Sequence, residues 1–389
     1  MGFEGFPFII GWELTLACNL RCRHCGSTAG LPRADELTLE ESLAICDQFP
    51  DLLVQEVNFT GGEPLLSSYW PNIAAYLREL GIKTKILTNA LTLEPNIIAQ
   101  MKDVDIAGVG VSLDGIEKTH DYIRGREGLF HCVLKGIERL IDNGTDITVI
   151  TTVNKLNSNE LTSLLELLRS VGVKRWQVQP LFPLGRVHDA AELRLTEQTY
   201  MQLGTFVKEW GLHAQKAGIE MLPGDSFGYF TELDTREPPW RGCPAGLLSC
   251  GITSDGRIKG CLSLPDEVIE GDLRKNDLWD IWFHPDSFAY TRRFSLGRLG
   301  NFCRSCDKAE QCRGGCSAMS YGSTGSFHND PYCFYRISKF LGDKTLTSGG
   351  PTMSPAVCSA SGRKYDAGMD GVLGKGDDLN VGIESRHST

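Results

Sequence analysis

The chain has 389 residues, 41% of them hydrophobic and 23% charged, which is longer than one ordinary domain and apolar enough for a sizeable core. That composition excludes collagen, coiled coil and wholesale disorder, and a formal charge of −10 gives no electrostatic reason to expect a nucleic-acid partner. No apolar run approaches the roughly 18 residues of a membrane span. The stretch Phe6 to Ala17 carries Glu13 and lacks the basic leader of a secretory signal. A cytoplasmic protein without a membrane partner is expected. Its 14 cysteines are then the odd feature, because thiols in a reducing compartment bind metal more often than they pair.

From residue 8 to about 225 strand-like and helix-like segments alternate. The strand-like runs are Phe8–Thr15, Glu56–Thr60, Lys83–Thr88, Asp105–Leu113, Ile147–Asn154, Arg175–Leu181 and Ile219–Leu222. Helical spacing covers Leu39–Phe49, Tyr69–Leu80, Pro95–Met101, Leu129–Asn143, Asn159–Val171 and Glu197–Ala217. Thr38 and Glu41 have the spacing of a capping box before the first helix. Gly81, Gly144 and Gly172 follow three helices where a C-terminal cap favours positive φ. Repeated β-α units imply a parallel sheet, and six or more imply a full or partial α/β barrel with its chemistry at the C-terminal strand ends. From about Arg236 the pattern changes to loops rich in Gly, Pro and Cys. Residues 344–389, rich in Gly, Ser and Asp, read as flexible.

The cysteines are clustered, unlike a disulfide scaffold. Three lie near the start and eight between Cys243 and Cys333, while the long stretch between Cys25 and Cys243 holds only Cys46 and Cys132. Both of those fall at apolar helix positions and read as core thiols; Cys358 lies in the tail without a partner. Cys18, Cys22 and Cys25 form a C-x3-C-x2-C pattern in the loop leaving the first strand. Three thiolates suit one corner of a cubic iron–sulfur cluster and leave one iron without a cysteine. A structural zinc site is the plainer alternative, but it normally closes with four ligands, and only His24 stands nearby.

This loop resembles that of the radical S-adenosylmethionine (SAM) superfamily, whose C-x3-C-x2-C follows the first strand of a partial barrel. The resemblance implies a [4Fe–4S] cluster on Cys18, Cys22 and Cys25. Its open iron would hold SAM, which the reduced cluster cleaves to methionine and a 5′-deoxyadenosyl radical. Gly61-Gly62-Glu63-Pro64 resembles the motif that binds the SAM amino group; its glycines let backbone approach a ligand, and Glu63 is expected to accept from the ammonium. Asn89 and Ser112, at the ends of the third and fourth strands, resemble positions meeting the SAM ribose and carboxylate. Arg124 is a candidate for the carboxylate, with a surface ion pair as its alternative. Asn154, Gln177 and Gln179 are candidates for lining the cavity by strand-end position.

The later series C-x12-G-x4-C (Cys243, Gly256, Cys261), then C-x2-C-x5-C-x3-C (Cys303, Cys306, Cys312, Cys316), then Cys333 resembles the SPASM domain of peptide-modifying radical SAM enzymes. The resemblance assigns auxiliary cluster I to Cys243, Cys250, Cys261 and Cys316, and auxiliary cluster II to Cys303, Cys306, Cys312 and Cys333. That makes three [4Fe–4S] clusters in all, the auxiliary pair moving electrons. The implied fold is a partial (β/α)6 TIM-like barrel over residues 1–235, a cysteine-rich, loop-dominated auxiliary-cluster domain over 236–341, and a tail over 342–389.

Gly11 to Cys18 and Gly224 to Phe227 look most like maturases of the pyrroloquinoline-quinone and mycofactocin type, which act on ribosomally made precursor peptides. Anaerobic sulfatase maturases are a poorer match: they carry an acid directly after the G-x4-C cysteine, where this chain has Leu262. The first strand begins so early that no peptide-recognition domain is expected ahead of it. Either a separate recognition protein or direct binding of the peptide at the barrel mouth is then expected, with the precursor peptide and an electron donor, such as flavodoxin or ferredoxin, as partners. Asp114, His188 and Asp225 are the candidate bases. Two alternatives stand beside the peptide reading: the same chemistry on a small cofactor precursor such as a tetrapyrrole, and a non-catalytic zinc or iron–sulfur protein.

Overall fold

The computed structural model describes residues 5–230 and 240–345. Seven strands run parallel in chain order: β1 (Ile9–Thr15), β2 (Glu56–Gly61), β3 (Lys83–Thr88), β4 (Gly108–Ser112), β5 (Ile147–Val153), β6 (Arg175–Pro180) and β7 (Glu220–Pro223). Helices α1 (Leu39–Cys46), α2 (Trp70–Glu79), α3 (Pro95–Asp103), α4 (Glu117–Arg124), α5 (Leu129–Asp142), α6 (Leu161–Ser170) and α7 (Glu197–Lys216) return the chain between them. Period-two alternation divides the faces: in β5, Ile147, Val149, Thr151 and Val153 are buried, while Ile150 and Thr152 face a central cavity.

Six helices match the expected segments within a few residues, and the Thr38–Glu41 capping box forms in both directions. Gly81, Gly144 and Gly172 take φ of 76°, 71° and 84° at the expected helix ends. The fourth strand begins later than its apolar run, because Asp105 adopts φ 59° in the turn after α3. Helix α4 has no counterpart in the expected elements. Its inward face is His120, Ile123 and Arg124, so polar side chains fill positions where an apolar stripe is sought. Cys46 is fully buried, but Cys132 lies on the exposed side of α5, contrary to the core reading.

The cysteine-rich region contributes to the same sheet. Strand β8 (Ser249–Ile252) pairs parallel with β1, and β9 (Arg257–Lys259) and β10 (Gly271–Asp272) continue antiparallel. The order is β10-β9-β8-β1-β2-β3-β4-β5-β6-β7, with open ends at β7 and β10, so the barrel is partial. The expected boundary at residue 236 lies outside the described residues, but strands from either side of it share this one sheet. Beyond β10 come α8 (Leu278–Phe283), α9 (Ala289–Arg292), α10 (Ala309–Cys312), α11 (Ser317–Thr324) and α12 (Phe334–Thr345). The proposed tail, apart from the end of α12, lies outside the described residues. No described helix is long and apolar enough to cross a membrane.

Glu41 also accepts from Arg274 at 2.7 and 3.0 Å, and this hydrogen bonding is the leading reason its carboxyl falls to about 2. Removing the cap by Thr38→Ala is expected to cost about 1 kcal/mol. It should lower the urea midpoint without changing the slope of the transition.

Candidate active site

The loop after β1 brings Cys18, Cys22 and Cys25 to one wall of a cavity of about 310 Å3, lined also by Gly61, Gly62, Asn89, Ser112, Arg124, Thr152 and Gln179. All three cysteines are unpaired thiols. Burial pushes the Cys22 thiol up to about 11, with nearby Arg124 acting against it; a metal bound there would have to displace its proton. The loop is held from a distance. Arg186 donates to the carbonyls of Cys22 (2.7 Å) and Ala29 (2.9 Å), and its own N–H donates to Cys25 O at 3.0 Å. Arg186 lies far from the motif in sequence, and no motif pointed to it.

The two glycines have a tighter reason than ligand approach. A methyl on Gly62 would stand 2.1 Å from Ala17 O, and one on Gly61 2.3 Å from Thr15 O. The end of β2 thus lies directly against the cysteine loop, with Gly62 N–H donating to Thr15 O and Glu63 N–H to Ala17 O, both at 2.8 Å. Glu63 departs from its expected role. It is fully buried and absent from the cavity wall. Its carboxylate accepts from Thr88 Oγ1 (2.8 Å), Asn89 N (2.8 Å) and Leu65 N (3.3 Å), fastening β3 to the motif. Asn89 does face the cavity, and its Nδ2 donates to Asn19 Oδ1 at 2.8 Å.

Asp114 is fully buried at the end of β4. Its Oδ2 receives Arg124 Nε and Nη2, both at 2.6 Å, and lies 3.1 Å from His24 Nε2; its Oδ1 receives Thr152 N–H at 2.8 Å. Burial alone would raise this carboxyl, but Arg124 and then His24 hold it well below the usual carboxylate range. A carboxylate so committed is a poor proton acceptor, which corrects its candidacy as a base. Its work is to hold Arg124 against the cavity and to tie His24, inside the cysteine motif, to the sheet. Arg124 is therefore a buried partner of Asp114 that also lines the cavity, not a surface ion pair.

The other two base candidates lie elsewhere. His188 is exposed and borders a separate cavity with Arg194 and Tyr332. Asp225 is exposed on a short turn after β7 and does not line the central cavity. Asn154, also expected at the cavity, is fully buried and turned onto the backbone of Leu156. Gln179 reaches the cavity, with Gln177 donating to it at 3.1 Å.

In the C-terminal region Cys303, Cys306, Cys312 and Cys333 surround one small pocket together with Phe227, Tyr229 and Asp330. Cys316 packs in a second apolar group with Cys243 and Cys261. Cys250 is not brought to that group: it sits on β8, in the barrel core with Ile10. Among the described residues no three His, Cys, Asp or Glu side chains converge on a single point.

Three free thiols lining one cavity, together with glycines and a buried arginine, fit a site-differentiated iron–sulfur cluster with room for a small ligand beside it. The fold and the site together define an enzyme of the radical SAM class carrying a C-terminal iron–sulfur domain. Residues 12–168 match the Radical SAM superfamily, and residues 243–313 match SPASM, an iron–sulfur cluster-binding domain. An AdoMet-dependent heme synthase of Methanosarcina barkeri is 31% identical over 86% of this chain and 98% of its own. The mycofactocin maturase MftC of Mycolicibacterium smegmatis is 30% identical over 81% of this chain and 79% of its own. The chain belongs to the radical SAM superfamily. Among solved structures, Streptococcus suis SuiB bound to S-adenosylmethionine shares the fold with a TM-score of 0.69, at 20% identity over 85% of this chain and 77% of that one.

Two outcomes follow from the buried carboxylates. Asp114→Asn strands the Arg124 charge and is expected to cost roughly 3–5 kcal/mol, read as a lower melting temperature and a reduced iron content per chain. Burial raises Glu63 to about 7, so its protonated form favours the fold; that contribution is complete below the unfolded value near 4.5 and is lost as pH rises through about 7. Stability measured against pH should therefore fall more steeply across this window in the native protein than in Glu63→Gln.

Proposed function

We propose that this protein is a radical SAM/SPASM maturase that abstracts hydrogen from a ribosomally made precursor peptide and installs a crosslink or other oxidative modification. When bound, the cluster and SAM supply the one-electron cleavage that generates a hydrogen-abstracting 5′-deoxyadenosyl radical. Cys18, Cys22 and Cys25 hold the cluster in this reading. Gly61, Gly62, Asn89, Ser112 and Arg124 orient SAM beside it. Leu181, Phe182, Leu184 and Leu262 form the apolar part of the wall that receives the substrate. The C-terminal cysteines carry two further clusters, which accept the electron released when a substrate radical is oxidised. A flavodoxin- or ferredoxin-like donor and a separate peptide-recognition protein belong to the same proposal.

The observation that carries the peptide reading is the charge of the cavity. Both arginines on its wall are engaged, Arg124 with Asp114 and Arg186 with the carbonyls of Cys22 and Ala29, and the one acid there, Glu13, is paired with Arg33. Such a wall offers little to the several carboxylates of an iron porphyrin and accepts a peptide side chain readily. The second reading, a tetrapyrrole precursor as substrate, is favoured by the near full-length similarity to a heme synthase.

Anaerobic incubation with SAM and a reductant should yield 5′-deoxyadenosine, and Cys18→Ala should abolish it. With a short peptide encoded beside the gene, mass spectrometry should show a product differing by loss of hydrogen or of carbon dioxide. Tight binding of iron-coproporphyrin III with a shifted Soret band and conversion to haem would replace the peptide reading by the second.

A further inference from the structure

The first auxiliary site has one expected ligand in the wrong place and one unexpected donor in a suitable one. Strand alternation decides the first point. Cys250 is paired with Ile10 on β8, in the same core as Trp282 and Phe288 and 2% exposed. Its neighbour Gly251 faces the other way, where a methyl would stand 2.7 Å from Leu262, the residue after Cys261. Cys316 lies instead with Cys243 and Cys261 in a separate apolar group.

Tyr290, by contrast, is brought to the thiols. It packs with Cys316, Cys243 and Cys261 in one cluster, nine-tenths buried, its ring stacked on Phe327 at 4.4 Å and 9°. Its hydroxyl makes no hydrogen bond of ordinary geometry. It lies over Gly260, where a methyl would stand 2.0 Å from the oxygen, so the phenol is directed at the residue before Cys261. A buried hydroxyl that faces only the Gly260 backbone costs free energy unless something else receives it.

We infer that auxiliary cluster I is held by Cys243, Cys261, Cys316 and the phenolate oxygen of Tyr290, with Cys250 serving as a core thiol. Three thiolates take three irons and the phenolate takes the fourth; its proton leaves to solvent as the metal binds, as ligand protons generally do. Tyrosine is an established oxygen donor to iron in proteins. The inference deepens the proposed role of the C-terminal cysteines and rests on it.

The test uses the anaerobically reconstituted full chain with Cys250→Val, which conserves apolar volume, and Tyr290→Phe, which keeps the ring stack. Iron and sulfide are counted, and Mössbauer and reduced-state EPR spectra are recorded. Cys250→Val should retain about twelve irons per chain, four for each cluster, with unchanged spectra. Tyr290→Phe should alter the signal of one cluster while leaving that of the Cys18–Cys22–Cys25 cluster as it was. Loss of about four irons in Cys250→Val, or native spectra in Tyr290→Phe, overturns the assignment. Should the native chain hold only about four irons, all lost in Cys18→Ala, the auxiliary-cluster reading itself fails, and that outcome is separable from the others.

Discussion

The buried Asp114 carboxylate is the interaction on which the site depends. It sits where β4 ends, takes two nitrogens of Arg124 and one of His24, and accepts a backbone N–H from β5. A carboxylate removed from water needs partners for each oxygen, and the partners chosen here come from three separate pieces of chain. Helix α4 exists at this place because Arg124 and His120 face inward on it; His120 accepts Asp114 N–H at 3.0 Å. The cysteine loop is therefore referenced to the sheet through charge, and Arg186 fixes its other side through carbonyls.

A second network joins the cysteine-rich region to the barrel. Glu13, buried on β1, receives Arg33 at 2.7 Å and the Ser254 hydroxyl at 3.0 Å. Arg33 reaches Asp266 at 2.8 Å, and Asp266 holds the buried Lys259 at 3.0 Å. Together with the β1–β8 pairing these contacts run the sheet straight from the barrel into the SPASM region.

Much of this was legible before any coordinates. Periodicity placed six helices and seven strands, since their buried faces are apolar at regular intervals. Spacing separated the cysteines into groups, because ligands of one cluster must come from short, defined stretches. What escaped was held by polar or distant partners. Helix α4 buries His120 and Arg124, so its pattern is not amphipathic in the usual sense. Strands β8 to β10 are short and find their partner far away in sequence. Glu63 looked available for a ligand because its motif is local, but its acceptors are filled by Thr88, Asn89 and Leu65.

The sequence by itself determined the repeated β-α order, the capping box, the reactive cysteine loop and the separation of two cysteine regions. These are properties of residue type and spacing within a few turns of chain. Only the tertiary structure decided which polar groups face the cavity and which are consumed holding it. It withdrew Asp114, Glu63 and Asn154 from the open wall, sent His188 and Asp225 elsewhere, and turned Cys250 into the core while bringing Tyr290 to the thiols. The reason is that burial and pairing depend on neighbours supplied by other strands, and a side chain's chemistry follows its surroundings.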